Sequence, residues 1–99
     1  MRGDKDKDIR IGSVIEAMYK RYRLDAKVNE LKIKKDWEDI FGRLIANHTN
    51  QIELKGKTLY VTVTNGPLRN ELFLQRDLMI SKLNEYYEQV IIEKVFIQS

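Results

Sequence analysis

The sequence predicts an α+β domain in which a small sheet is covered by helices. Three observations predict it. Apolar residues recur at helical spacing through the first half of the chain. Two runs of period-two alternation then flank a glycine. A second helical stretch follows and leads into a β-branched, aromatic end. The expected element order is α-α-α-β-β-α-β.

Residues 1–10 alternate charge with almost no apolar content and read as a mobile charged tail ahead of one domain over 11–99. The first helix should start near Ser13, because Ser13-Val14-Ile15-Glu16 fits a capping box. Ile11, Val14, Ile15, Met18, Tyr19 and Tyr22 form its apolar stripe. Lys20, Arg21 and Arg23 suit the negative end of its dipole. Asp25 is the expected N-cap of a second, shorter helix, with Val28 and Leu31 pointing inward. The apolar phase slips near Leu31 and Ile33, which favours a break before the next element.

That element is the central one. Trp37, Ile40, Phe41, Leu44, Ile45 and His48 fall on one helical face, behind Asp36 as N-cap. Trp37 is the only tryptophan and brings the largest apolar area one residue offers. Gly42 would sit in mid-helix at a cost of roughly 1 kcal/mol relative to alanine, as a place of close packing.

Ile52 and Leu54 alternate with polar residues, and Leu59, Val61 and Val63 do the same beyond Lys55-Gly56-Lys57. This reads as a hairpin with one buried face. Thr58, Tyr60 and Thr62 belong to the other face, with Lys55 and Lys57 near the tip. Thr64-Asn65-Gly66-Pro67 opens a helix running to Tyr86 or Tyr87. Its core stripe is Leu68, Leu72, Phe73, Met79, Ile80, Leu83 and Tyr87. Val90 to Ile97 reads as the last strand, with its in/out phase left open by Glu93 and Lys94.

Ninety-nine residues with 42% hydrophobic and 33% charged content suit one globular domain. The absence of cysteine excludes disulfides, thiolate metal sites and cysteine nucleophiles. The start lacks the apolar core of a secretory signal, and no run approaches the ~18 apolar residues of a membrane span. A cytoplasmic setting without a membrane partner is expected. His48 is the only histidine, so no metal set can be completed around it. Ser13 and Ser81 have no base beside them in sequence, and neither phosphate-loop glycine pattern occurs. No enzyme, cofactor or metal is expected.

The charge distribution says more than its total. Lys20, Arg21, Arg23, Lys27, Lys32, Lys34 and Lys35 face only Asp25 and Glu30 in the same stretch, a net +5 on a chain whose total is +3. A localised basic face is the footprint of a polyanion. With Arg43 these seven form the candidate nucleic-acid-binding set; a solvated helix face is the competing reading. Tyr60 is the best base-stacking candidate among the tyrosines, because its register takes it off the buried face.

Several pieces read together resemble the DciA family of bacterial proteins. Trp37-Glu38-Asp39-Ile40-Phe41-Gly42 looks like its tryptophan–hydrophobic–glycine signature, with His48-Thr49 at the family's spacing. Gly56 to Val63 looks like its glycine–leucine–valine hairpin. Leu68-Arg69-Asn70-Glu71-Leu72 and Leu83-Asn84-Glu85 look like its Glu-Leu helix start and Leu-Asn helix end. The resemblance covers Ile11 to the end. It implies a K-homology-like fold, DNA binding in preference to RNA, and loading or regulation of the replicative helicase. It supplies no catalytic residues. A K-homology domain clamps nucleic acid with a GxxG loop, and this sequence has none. Longer members carry a C-terminal extension, whereas this chain is expected to be a short form ending at its last strand. A helicase contact made through such an extension is therefore not implied. The alternative function is a protein–protein adaptor with no direct nucleic-acid contact. The residues set neither the oligomeric state nor the strand form of the nucleic acid.

Overall fold

A computed structural model describes the backbone of residues 2–99 and the side chains from Gly12 onward. Helix α1 spans Arg2–Phe41 and α2 spans Arg43–His48. Strands β1 (Thr49–Lys55) and β2 (Thr58–Val63) form the hairpin. Helices α3 (Gly66–Leu74) and α4 (Arg76–Tyr87) precede β3 (Lys94–Gln98). The order is thus α-α-β-β-α-α-β, an α+β domain whose helices are divided differently from the expectation.

The three helices expected before the hairpin are one long helix and a short one. Ser13, Asp25 and Asp36 all lie inside α1 and cap nothing. No glycine or proline occurs from Ser13 to Phe41. A cap residue contributes only about 1 kcal/mol, too little to stop a helix whose apolar stripe continues. The segment expected as a tail, residues 1–10, contributes backbone to α1 from Arg2; its side chains lie outside the described residues.

The stripe over 26–40 is buried through Ala26, Ile33, Trp37 and Ile40. Val28 and Leu31 are instead exposed, Leu31 at 57%. In an uninterrupted helix they fall on the side opposite Ile33, so the phase slip that suggested a break is only their presence on the outer face. The expected core stripe at the other end of α1 is also exposed: Val14, Ile15, Met18, Tyr19 and Tyr22 all face solvent, Met18 at 66%. The reason is length. Forty helical residues run roughly 60 Å, whereas strands of five to seven residues span roughly a third of that.

Gly42 ends α1 rather than packing inside it. Its φ of 91° and ψ of 167° lie where only glycine is at ease. Its N–H still donates to the Glu38 carbonyl at 2.7 Å, and its own carbonyl accepts the Ala46 N–H at 3.1 Å. A Cβ there would meet nothing within 4 Å, so the expected close packing is absent. After this bend α2 leaves Leu44 exposed while Ile45 and His48 stay half-buried.

The sheet order is β1-β2-β3, with β1–β2 antiparallel and β2–β3 parallel. The parallel pair needs a long crossover, which α3 and α4 supply. Asn65 caps α3 by accepting the Leu68 N–H at 3.0 Å, with Pro67 in the first turn. The single expected helix breaks at Gln75, and Phe73 from its expected core stripe is exposed. Between Tyr87 and β3 the chain is organised by Asn84. Its Oδ1 accepts the Ile91 and Ile92 N–H groups at 2.9 and 3.0 Å, and its Nδ2 donates to the Ile92 carbonyl at 2.9 Å. The last strand therefore begins at Lys94, later than the β-branched run suggested.

All helices that touch the sheet cover one face of it. Leu59, Val61, Val63, Leu83, Ile33 and Ile92 are fully buried between the layers. Each such side chain contributes about 1.5–3 kcal/mol of transfer free energy.

Candidate nucleic-acid interface

Seven of the eight predicted basic residues sit on α1, and helical geometry divides them. Lys20, Arg23, Lys27 and Lys34 recur at i, i+3, i+7 and i+14 and share one flank of the helix. Arg21, Lys32 and Lys35 share another. Arg43 stands apart on α2, with its Nε 3.9 Å from the Glu38 Oε2.

The first flank overhangs the hairpin. A groove of about 980 Å³ separates them, lined by Lys20, Arg23, Lys27 and Lys55, by the acidic Glu30 and Glu53, and by Tyr19 and Tyr22, among others. Tyr22 reaches across its floor to the turn, where its hydroxyl lies against Gly56. A second hollow of about 440 Å³ lies farther along α1, lined by Lys34, Lys35, Glu38 and Asn50 among others.

Glu30 sits under this flank and is 5% exposed. One carboxylate oxygen accepts the Leu54 backbone N–H at 2.9 Å. The other lies 3.2 Å from the Lys27 Nζ and 3.3 Å from the Lys34 Nζ. Burial pushes the carboxyl pKa up, but the Leu54 N–H and the two ammoniums outweigh it. The result lies below the ordinary glutamate value. Lys27 and Lys34 are thus partly neutralised within the fold, whereas no ion pair among the described residues engages Lys20, Arg23, Lys32 or Lys35.

The outer face of the sheet is uncovered. Three cross-strand rows make it up: Gln51–Thr62–Gln98, Glu53–Tyr60–Phe96 and Lys55–Thr58–Lys94. None of these nine side chains is buried. Tyr60, which the sequence singled out, lies here as expected. Phe96 was missed because Glu93 and Lys94 obscured the phase of the last strand. Its pairing with Tyr60 resolves that phase. Lys55 was placed near the hairpin tip, but only the overhang of α1 brings it beside Lys20 and Arg23.

Among the described residues no group of three His, Asp or Glu side chains is placed to hold a metal ion, and no helix is long and apolar enough to cross a membrane. His48 is the half-buried last residue of α2.

Comparison with curated proteins and with solved structures gave no match. The family model described as "Dna[CI] antecedent, DciA" matches residues 10–97, nearly the whole chain. That span holds the Trp37–Gly42 bend, the hairpin and the Asn84 loop. The DciA family is associated with loading of the replicative helicase rather than with an enzymatic reaction. This α+β chain, with its three-stranded sheet and helix-borne basic residues, belongs to the DciA family.

Proposed function

We propose that this chain is a nucleic-acid-binding accessory domain that helps load or regulate the replicative DNA helicase in the cytoplasm. One observation carries the nucleic-acid part. Lys20, Arg23 and Lys27 line one groove with Lys55, on a chain of a helicase-loading family. Neutralising phosphates and releasing their counterions would drive binding, with DNA the preferred polymer. Lys34 continues the Lys20 flank along α1, Lys32 and Lys35 carry charge on the neighbouring flank with Arg21, and Arg43 stands on α2.

A K-homology-like fold is part of this reading. A three-stranded sheet with helices on one face supports it. So does the pair of helices between parallel strands, although Leu74-Gln75-Arg76 stands at their junction in place of a GxxG loop.

The test is fluorescence anisotropy with labelled single-stranded and duplex DNA at several salt concentrations. Affinity should fall steeply with salt. Replacing Lys32, Lys34 and Lys35 by glutamine should lower the slope of log K against log salt by about 2 on a single strand. An unchanged slope removes these three residues, and no binding at low salt removes direct nucleic-acid contact.

A second reading is favoured by a different observation. Val14, Ile15, Met18 and Tyr22 present an exposed apolar stripe on α1, which suits a protein partner. An adaptor of this kind would keep its grip on the helicase after the lysines are replaced.

A further inference from the structure

The uncovered face of the sheet has a composition that solvation alone does not require. Tyr60 and Phe96 stand opposite each other on β2 and β3. Their ring centroids are 5.3 Å apart with planes 16° from parallel. Phe96 is 51% exposed. It lies on the outermost strand, so the ring face turned away from Tyr60 meets no further strand among the described residues. On the other side the Lys55 Nζ lies 5.5 Å from the centre of the Tyr60 ring. In the adjacent row Lys55 and Lys94 flank Thr58. Of the remaining positions Glu53 is acidic, with its Oε1 3.9 Å from the Lys55 Nζ, and the glutamines and threonines offer donors and acceptors without bulk.

We infer that this face is a stacking platform for single-stranded nucleic acid, with Phe96, backed by Tyr60, receiving a base and Lys55 and Lys94 receiving phosphates. The inference rests on the nucleic-acid reading above and deepens it by naming the strand form and the surface. The Phe96 ring, held against Tyr60, turns its other face outward, and that face matches the planar face that every unpaired base exposes and every paired base hides. An apolar protein partner would be met by more than two aromatics. This face instead has polar side chains on every other position of its three rows. Lys94, which no ion pair engages among the described residues, and Lys55, which shares its charge with Glu53, leave the face net positive for a phosphate backbone. Lys55 also lines the groove beneath α1, so a strand leaving the platform past the hairpin would pass directly to Lys20 and Arg23.

The experiment is an anisotropy titration of the full chain with fluorescein-labelled dT20, and with a duplex of equal length, at two salt concentrations. Tyr60→Leu and Phe96→Leu keep apolar bulk on the strand but remove the ring. Phe96→Leu removes the receiving face and is expected to weaken dT20 binding about tenfold, and Tyr60→Leu, which removes its backing, by a smaller factor. The salt slope should not change, because no phosphate contact is removed, and duplex binding should change little. Wild-type affinity for dT20 in the doubly substituted chain overturns the platform and leaves the basic groove standing. Failure of the unsubstituted chain to bind dT20 or duplex at low salt overturns both readings. Phe96→Trp guards against a folding defect in the leucine variants. It retains a ring, should keep its affinity, and should lose indole emission as dT20 is added. Unchanged emission at saturating dT20 overturns the assignment of Phe96.

Discussion

The Glu30 carboxylate accepts the Leu54 backbone N–H at 2.9 Å, across 24 residues of sequence. This bond locks the middle of α1 to the hairpin that it overhangs. It also sets the height of the basic flank above β1, because the same carboxylate holds Lys27 and Lys34.

A carboxyl with a depressed folded pKa contributes stability that is fully present above the unfolded value. That stability is lost as pH falls through the folded one. Glu30 is such a group. Urea unfolding followed from pH 7 downward should therefore show stability falling below the ordinary carboxylate range. Glu30→Gln should flatten that acid limb while lowering stability at pH 7. Glu30→Leu leaves the Leu54 N–H unpaired and should cost about 1–3 kcal/mol at neutral pH.

Trp37 and Thr49 form a second tie. The indole Nε1–H donates to the Thr49 Oγ1 at 3.0 Å, and the Thr49 hydroxyl donates to the Ile45 carbonyl at 2.6 Å. One hydroxyl thus joins α1, α2 and β1. Thr49→Val preserves shape but orphans the indole N–H, and should lower stability by about 1–3 kcal/mol in thermal or urea unfolding. A loss below a few tenths would mean that water reaches the indole.

The two glycines with positive φ should respond to alanine for different reasons. At Gly42 a Cβ has open space, so Gly42→Ala should cost only the backbone strain, about 1–3 kcal/mol. At Gly56 the φ is +62°, and an added methyl also meets the Tyr22 hydroxyl. Tyr22→Leu should therefore rescue part of the loss in Gly56→Ala and none of it in Gly42→Ala. A double-mutant cycle in urea checks both.

Asn84 makes three hydrogen bonds to the chain entering β3. Asn84→Asp keeps both accepted bonds and loses the donated one. Asn84→Ala loses all three and should be the more destabilising, by about 1–3 kcal/mol. Hydrogen exchange at the Ile91 and Ile92 amides should quicken in the alanine variant and remain slow in the aspartate one.

The fold class, the alternation of the hairpin strands, the start of α3 and the burial of Trp37 and Ile40 were legible by themselves in the sequence. Each rests on local repetition: Leu59, Val61 and Val63 alternate whatever lies above them, and Asn65 with Pro67 opens a helix from its own chemistry. The cluster of basic residues from Lys20 to Lys35 was equally plain as composition. Its geometry was not. Tertiary structure decided that Lys27 and Lys34 share Glu30, that Lys55 joins Lys20 and Arg23, and that Tyr60 stacks on Phe96, 36 residues away. The division of α1 was misjudged because Ser13, Asp25 and Asp36 are good caps that an unbroken helix does not use. The stripe through Val14, Ile15, Met18 and Tyr22 has the same periodicity as that through Ala26, Ile33, Trp37 and Ile40. Periodicity states which face is apolar. Only the reach of a short sheet beneath a helix of forty residues decides how much of that face is covered.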